Sequence, residues 1–428
     1  MVTTSKNPLP NPSERKPTTQ QQNHLAYFAN EFSKKTRNYA FPFCRDIKKN
    51  YTKISKIGQG TYGEVHKACY KNDPTSFVAL KKILTETESE GFPITAIREI
   101  KILKLLNHEN IVKLIEVCRS SGTPYSKTNS TIFLVFEFCD HDLAGLIINV
   151  QFSLAEIKKI MKQLLNALHY IHSNKVLHRD LKSSNVFITR AGVLKLGDFG
   201  LARTFRDLKS SNVFITRAGV LKLGDFGLAR TFRFPTVNNP NRYTNTVVTM
   251  WYRPPELLLG ERNYNGMVDM WGCGVIMCEL WERSPIMQGR SEQHQLSLIT
   301  QLCGPLTPET WPKITELPLY EKISIDNNCQ GRTKEKLFRR VKDHYAIDLI
   351  DKLLTLDPEK RLNADESLNH EFFWSDPMPG ELHHVLRKLN SSYFEINATQ
   401  NPLNNHHQFS RPYHPVSNVP CANYDRIY

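Results

Sequence analysis

Asp180, Lys182 and Asn185 stand within six residues of one another in His178-Arg-Asp-Leu-Lys-Ser-Ser-Asn185, and Asp198 follows thirteen residues later in Asp198-Phe-Gly200. Residue types at this spacing can divide the work of a group transfer. Asp180 can accept the proton of an attacking hydroxyl, Lys182 can steady a transferring phosphate, and Asn185 and Asp198 can offer hard oxygens to magnesium. Upstream, Gly58-Gln-Gly60-Thr-Tyr-Gly63-Glu-Val65 fits G-x-G-x-x-G-x-V. Glycines there let the backbone lie over phosphates with no Cβ in the way. Val78-Ala-Leu-Lys81 follows, and Lys81 reaches the phosphates if Glu99 pairs with it. Each signal alone is weak: glycine-rich turns are common, and an isolated Lys or Glu is ordinarily a surface charge. Their order along one chain makes the signal strong. A dinucleotide-binding glycine run opens a helix. This one lies between two strand-like segments, which argues against that reading.

The elements that must hold these groups follow from the patterning. YTKISKIG, GEVHKACY, SFVALKKIL and IFLVFEF are β-rich and read as strands of an antiparallel sheet. One helix interrupts them, PITAIREIKILKLLNH, opened by Pro93. After about Asp140 the pattern turns helical. Ser153–Glu156 (SLAE) is a capping box, and Ile157, Ile160, Met161, Leu164, Leu165, Leu168 and Ile171 follow the i, i+3, i+4, i+7 series of one face. Met267–Trp281 is apolar nearly all round, which predicts a buried central helix. The chain is therefore expected to be α+β: a small antiparallel β lobe with one main helix (51–139), a larger, mostly helical lobe (140–374), and a cleft between them. Residues 1–45, rich in Pro, Gln, Asn, Ser and Thr, are expected to be a disordered tail, and 375–428 a second tail.

The charge balance is +14, from 56 basic and 42 acidic residues. Such a surplus can favour nucleic acid, but no Lys/Arg run with interleaved aromatics accompanies it, so a solvated basic surface is the simpler reading and no direct nucleic-acid partner is expected. The longest apolar stretch, Ile132–Cys139, is far shorter than the roughly 20 residues that span a bilayer, and no membrane association is expected. Nine scattered cysteines without a CxxC pair suggest reduced thiols rather than a disulfide framework or a zinc site. Ser33–Arg37 (SKKTR) is a weak nuclear-import signal.

The glycine loop, VALK, the Glu99 helix, HRDLKSSN and DFG, in that order, resemble eukaryotic protein kinases from Tyr51 to about Trp374, which implies a bilobal kinase fold, ATP and Mg2+. Pro254-Pro255-Glu256 stands where the family has A-P-E, and Glu256 has a candidate partner in Arg361. PITAIRE (Pro93–Glu99) resembles the cyclin-contacting helix of the cyclin-dependent kinases. VVTMWYRPPELLLGERNY, SPIMQG, EQHQL and FFWSDPMP resemble their transcription-elongation branch. The resemblance implies a nuclear serine/threonine kinase with a T- or K-like cyclin, acting at proline-directed sites such as the RNA polymerase II C-terminal heptads. Ile97 departs from the Leu usual before the Arg, which keeps sibling PITAIRE kinases of the same polymerase as an alternative. Tyr62 replaces the usual Phe, so Thr61-Tyr62 resembles an inhibitory phosphosite, or a ring that shields the phosphates.

By position the family implies further roles. Phe136 gates the adenine pocket, Glu137, Phe138 and Cys139 form the hinge that binds adenine through backbone, and Asp142 meets the ribose. Gly58, Gly60, Gly63 and Val65 cover the nucleotide. Thr244 is the activating phosphothreonine; Arg98, Arg179 and Arg203 or Arg230 gather on its phosphate. Val248 and Arg253 shape the pocket for proline after the target residue, and Asp269 ties to the catalytic-loop backbone.

One feature has no counterpart in the family. Arg179–Phe205 recurs without a change at Arg206–Phe232, each copy carrying five basic and two acidic residues. Asp225 is thus an alternate to Asp198 for metal. Copy two has Phe205 where copy one has His178, so only copy one completes H-R-D; Asp225, however, lies 19 residues before Thr244, the family-like spacing, and Asp198 lies 46 before it. Three registers follow: copy one supplies everything and copy two swells the activation loop; the insert leaves near Arg190–Gly192, uniting Asp180 and Asn185 with Asp225; or copy two does everything. Doubling a long loop costs about 0.6 kcal/mol, whereas stretching a tight turn from ~3 to ~30 residues costs about 2 kcal/mol. The first register is favoured. The spare copy then exposes two β-prone runs, VFIT and VLKL, which either form a hairpin of their own or jam the activation segment and leave a cyclin-binding scaffold without catalysis. Perfect identity also fits an error in assembling the gene.

Overall fold

The computed structural model describes residues 44–60, 63–83, 93–120, 131–204, 213–215, 221–223, 243–244, 247–324 and 341–389. Tyr62, Asp225, Arg230, the SKKTR segment and most of both expected tails lie outside them.

The small lobe is a six-stranded sheet: β1 (Arg45–Asp46), β2 (Tyr51–Gly60), β3 (Gly63–Tyr70), β4 (Phe77–Ile83), β5 (Leu114–Arg119) and β6 (Ile132–Glu137), in the order β1-β5-β6-β4-β3-β2. Four of the six match the expected strands. β5 and β1 were not read from the sequence, and β1 pairs parallel to β5, unlike the antiparallel remainder. Glu116 on β5 accepts from Arg45 Nε at 2.9 Å and from the Tyr51 hydroxyl, which seats this two-residue strand on the sheet edge. The helix Ile94–Leu105 starts after Pro93, whose missing N–H costs nothing at a helix entry.

In the large lobe, the helix Leu154–Ser173 starts at the expected capping box, with Ser153 accepting from the Glu156 N–H and Glu156 accepting from the Ser153 N–H. All seven apolar positions of its expected face are buried. Met267–Glu282 is buried over most of its length, as its all-round apolar character requires. Short strands β7 (His141–Asp142), β8 (Val176–Leu177), β9 (Val186–Ile188), β10 (Leu194–Leu196) and β11 (Arg203–Thr204) frame the site: β10-β9-β7 form one sheet and β11 pairs β8.

Residues 210–226 belong to a separate compact unit. Within it β12 (Val213–Ile215) and β13 (Leu221–Leu223) pair antiparallel with Val213 opposite Leu223, the register that Val186 and Leu196 adopt in copy one. The spare copy thus forms a hairpin of its own.

Candidate active site

Lys81 on β4 projects from the small lobe with its ammonium 2.8 Å from Glu99 Oε1 and 3.3 Å from Asp198 Oδ1. Burial works against the ammonium, but the two carboxylates outweigh it and hold the Lys81 pKa above its usual value. Burial likewise opposes the Asp198 carboxylate, and Lys81 and then His178 overcome it, so the Asp198 pKa lies below the ordinary range. The sheet, the Ile94–Leu105 helix and the Asp198 turn therefore meet at one cation.

The aspartate bound to Lys81 is that of copy one. One backbone bond explains part of this placement: the Gly197 N–H donates to the Asn185 carbonyl at 3.0 Å, which sets the Asp198 turn beside the catalytic loop. His178 supplies the rest. Its Nε2 lies 2.8 Å from the Gly197 carbonyl, and its ring packs edge-on against Phe199 at 5.0 Å. Phe205, which precedes copy two, carries no such polar atom. Asp198 itself is left-handed (φ 56°, ψ 68°), as are Arg179 (φ 65°) and Val248 (φ 67°) among the described residues of the cleft. Backbone in that region is costly and persists where surrounding contacts over-determine it.

Asp180 is nearly buried and both its carboxylate oxygens are engaged. Oδ1 accepts from the Thr249 N–H at 3.1 Å and hydroxyl at 2.9 Å; Oδ2 lies 3.0 Å from Lys182 Nζ and accepts from Asn185 Nδ2 at 3.1 Å. Lys182 also donates to the Thr249 hydroxyl at 3.0 Å. Thr249 was not singled out in the sequence. A lone hydroxyl between Val248 and Met250, next to the assigned proline-pocket residues, was the available signal. Asn185 spends its Nδ2 on Asp180, through the carboxylate and the backbone carbonyl at 2.8 Å, so Oδ1 is the polar atom left to face a cation. That amide oxygen and the Asp198 carboxylate are hard donors and suit magnesium.

The glycine loop divides by role. Gly58 pairs with Val65 across β2 and β3, and Gly60 with Gly63 at the loop's tip. Gly63 adopts φ +146°, and a Cβ there would come within 1.8 Å of the Lys82 carbonyl oxygen, so the strand crossing itself demands glycine. Phe136, next to last on β6, lies opposite Ala79 and Leu114. The Glu137 side chain accepts from the Lys113 N–H at 2.7 Å and pairs with Lys195 on β10 at 3.0 Å. Cys139 is buried, and burial pushes its thiol pKa well up. Asp142 Oδ1 caps the Leu143–Asn149 helix through the Gly145 N–H at 2.9 Å.

Thr244 is exposed, and its carbonyl accepts from the Tyr264 hydroxyl at 2.9 Å. Arg179 donates to that same hydroxyl at 2.9 Å, so one assigned arginine already reaches the Thr244 segment through Tyr264. Arg98 lies on the Ile94–Leu105 helix and Arg203 on β11. Arg253 wraps the strained Val248 turn, with Nε 2.9 Å from the Val247 carbonyl and Nη2 3.1 Å from that of Val248, and Nη1 pairs with Glu292 at 2.6 Å. Asp269, fully buried, accepts from the backbone N–H of His178 at 3.0 Å and of Arg179 at 2.9 Å, as expected, and from His172 Nε2 at 2.9 Å. Glu256 and Arg361 form the expected pair, bidentate at 2.8 and 3.0 Å.

Comparison with known proteins agrees with this arrangement. The protein kinase domain family matches residues 51–206 and 204–373, two stretches that meet where one copy of the repeat gives way to the other. Cyclin-dependent kinase 9 of Xenopus tropicalis is 51% identical over 397 residues, covering 91% of this chain and 98% of the relative. That of Homo sapiens is 55% identical over 359 residues, 83% of this chain and 89% of its own. Among solved structures, the yeast RNA polymerase II C-terminal-domain kinase complex CTDK-1 aligns with TM-score 0.64 at 35% identity, over 78% of this chain and 95% of that one. The CAK complex from Chaetomium thermophilum bound to ATP-gamma-S aligns with TM-score 0.62 at 34% identity, over 78% and 94%. Kinases of this fold use ATP and Mg2+ generally. With its lysine, two aspartates and asparagine converging on one cleft, the chain belongs to the protein kinase family and, within it, to the cyclin-dependent serine/threonine kinases.

Proposed function

We propose that residues 51–374 form a catalytic domain that transfers the γ-phosphoryl group of ATP to serine or threonine followed by proline. The substrate in this reading is the heptad tail of RNA polymerase II, the partner a T- or K-like cyclin, the compartment the nucleus, and the outcome transcription elongation. One observation carries the catalytic part: Lys81 is shared between Glu99 and Asp198 while Asp180, Lys182 and Thr249 form a closed set beside them. Relatives named cyclin-dependent kinase 9 and a solved polymerase-tail kinase complex support the substrate and cyclin.

In this reading Gly58, Gly60, Gly63 and Val65 cover the nucleotide, and the backbone of Glu137 and Cys139 binds adenine behind Phe136. Asp142 reaches the ribose. Lys81 holds the phosphates and Glu99 holds Lys81. Asn185 and Asp198 hold magnesium, which neutralises phosphate charge when bound. Asp180 takes the proton of the attacking hydroxyl, displacing Thr249 from Oδ1, and Lys182 steadies the group in transfer. Phosphate on Thr244 collects Arg98, Arg179 and Arg203. Val248 and Arg253 shape the slot for the following proline.

The test is transfer of radiolabelled γ-phosphate to a heptad peptide by the chain purified with a T- or K-type cyclin. Transfer that disappears when the prolines after the serines are replaced by alanine is the expected result. Cyclin binding without transfer would instead mean a scaffold, and activity only with another cyclin class would move the chain to a sibling PITAIRE kinase.

A further inference from the structure

We propose that Gln295 is a positioning residue for substrate selection: through Trp251 and Gly289 it fixes the turn that joins Thr249 to Arg253, and so sets the preference for proline after the target residue. The inference rests on the reading, given above, that Val248 and Arg253 shape that slot.

The segment from Val247 to Arg253 has to be held. Val248 is left-handed at φ 67°, a conformation that persists where neighbouring contacts over-determine it. Arg253 supplies part of the hold, with Nε donating to the Val247 carbonyl at 2.9 Å and Nη2 to that of Val248 at 3.1 Å. A carbonyl engaged in this way is a poorer acceptor for an incoming peptide N–H, and proline is the residue that brings none. Arg253 keeps its reach because one short turn, Met250–Tyr252, separates it from Thr249. The Tyr252 N–H donates to the Thr249 carbonyl at 2.9 Å, and the Arg253 N–H to that of Met250 at 3.1 Å. The Thr249 hydroxyl in turn donates to Asp180 Oδ1. Whatever fixes the turn therefore fixes the slot and one contact of the transfer set together.

Gln295 fixes it from a neighbouring element. It lies on the helix Glu292–Cys303, one turn in from the N-cap Ser291, and is fully buried. Its Nε2 donates to the Trp251 carbonyl at 3.3 Å, in the middle of the turn, and its Oε1 accepts from the Gly289 N–H at 2.8 Å. The Trp251 indole Nε1 donates to the Gly289 carbonyl at 3.2 Å. These bonds close a ring through Gln295, Gly289 and Trp251. A Cβ on Gly289 would stand 2.4 Å from Gln295 Oε1, so the close approach requires glycine. Three residues earlier on the same helix, Glu292 meets Arg253 Nη1 at 2.6 Å. One helix turn thus holds the backbone of Trp251 and the guanidinium of Arg253.

The two holds are not equal. The Glu292 carboxylate is half-exposed, where water and salt screen an ion pair. The Gln295 amide is shut away from water, so losing it leaves a buried N–H and a buried carbonyl without partners. An amide is also the group that fits, since one end must donate and the other accept; a carboxylate offers no donor and a thioether neither.

The test gives the cyclin-bound enzyme two heptad peptides, one with proline after the target serine and one with alanine there, and measures kcat/KM for each. The wild type should prefer proline. Gln295→Met, similar in length, should cut the proline-to-alanine ratio of kcat/KM by roughly tenfold, with the KM for ATP unchanged within about twofold. Gln295→Glu keeps the acceptor for Gly289 and loses the donor to Trp251, and should lower the ratio as well, which assigns the effect to the Trp251 bond. Loss of folded enzyme lowers both rates in proportion and leaves their ratio in place, so the ratio reads position and not stability. Should neither Gln295 variant fold, Trp251→Phe, which keeps a ring and loses the indole N–H, decides with the same expected fall. A ratio within about twofold of the wild type in the folded variants would overturn the proposal and leave the proline-slot reading standing on the wild-type preference. A wild type that uses both peptides equally would sink the slot reading and this inference with it.

Discussion

Asp180→Asn should lower kcat for heptad-peptide phosphorylation by about a thousandfold, within the range ascribed to a positioned proton acceptor. An asparagine can still accept from Thr249 at the position of Oδ1, where the N–H and hydroxyl now lie 3.1 and 2.9 Å away. It cannot take up a proton, and it removes the negative charge that holds Lys182 at 3.0 Å. Both losses fall on the transfer step. The nucleotide contacts assigned to Lys81 and the glycine loop are untouched, so the KM for ATP should stay within about threefold. Steady-state kinetics on the cyclin-bound variant measures both constants. A variant that keeps a tenth of the wild-type kcat would mean that the proton leaves by another route.

Arg361→Met should destabilise the large lobe by roughly 3–5 kcal/mol, the cost of leaving a buried charge without its partner. Arg361 is 3% exposed and Glu256 2%, and the guanidinium meets the carboxylate with two parallel bonds at 2.8 and 3.0 Å. Its other donors serve the backbone: Nη1 reaches the Met267 carbonyl at 2.7 Å and Nε that of Thr355 at 3.0 Å. Its flat face lies 5.0 Å from the Trp271 ring centre. Methionine of similar length fills the space and satisfies none of these groups. Denaturant titration followed by tryptophan fluorescence reads the change, since Trp271 reports on this contact. A loss below about 1 kcal/mol would show that water or a shifted side chain neutralises Glu256.

The charged parts of the site were legible because their chemistry fixes both residue type and spacing. In the roles proposed for them, Asp180, Lys182, Asn185 and Asp198 have no equivalent residue types, so they stand out in a linear string. The Glu156 capping box and the buried face of Leu154–Ser173 were legible for a different reason: both are set within a few residues by helix periodicity. What escaped was decided by distance along the chain. β1 contains two residues and owes its place to Glu116, about seventy positions away. Thr249 matters because it meets Asp180, 69 residues earlier. The repeat sets a sharper limit, since identical strings cannot distinguish themselves. The residue before each copy does so: His178 binds the Gly197 carbonyl and covers Phe199, and Phe205 offers no hydrogen bond in its place.

The central claim is that copy one supplies the whole metal and transfer set. Phosphoryl transfer by the cyclin-bound Asp198→Asn and Asp225→Asn enzymes, measured side by side at saturating ATP and Mg2+, tests it most directly. Asp198→Asn should be inactive to within about one part in a thousand, because the carboxylate 3.3 Å from Lys81 is gone, while Asp225→Asn should match the wild type within about twofold. Activity that survives in Asp198→Asn and vanishes in Asp225→Asn would place the second copy in the cleft and contradict the account.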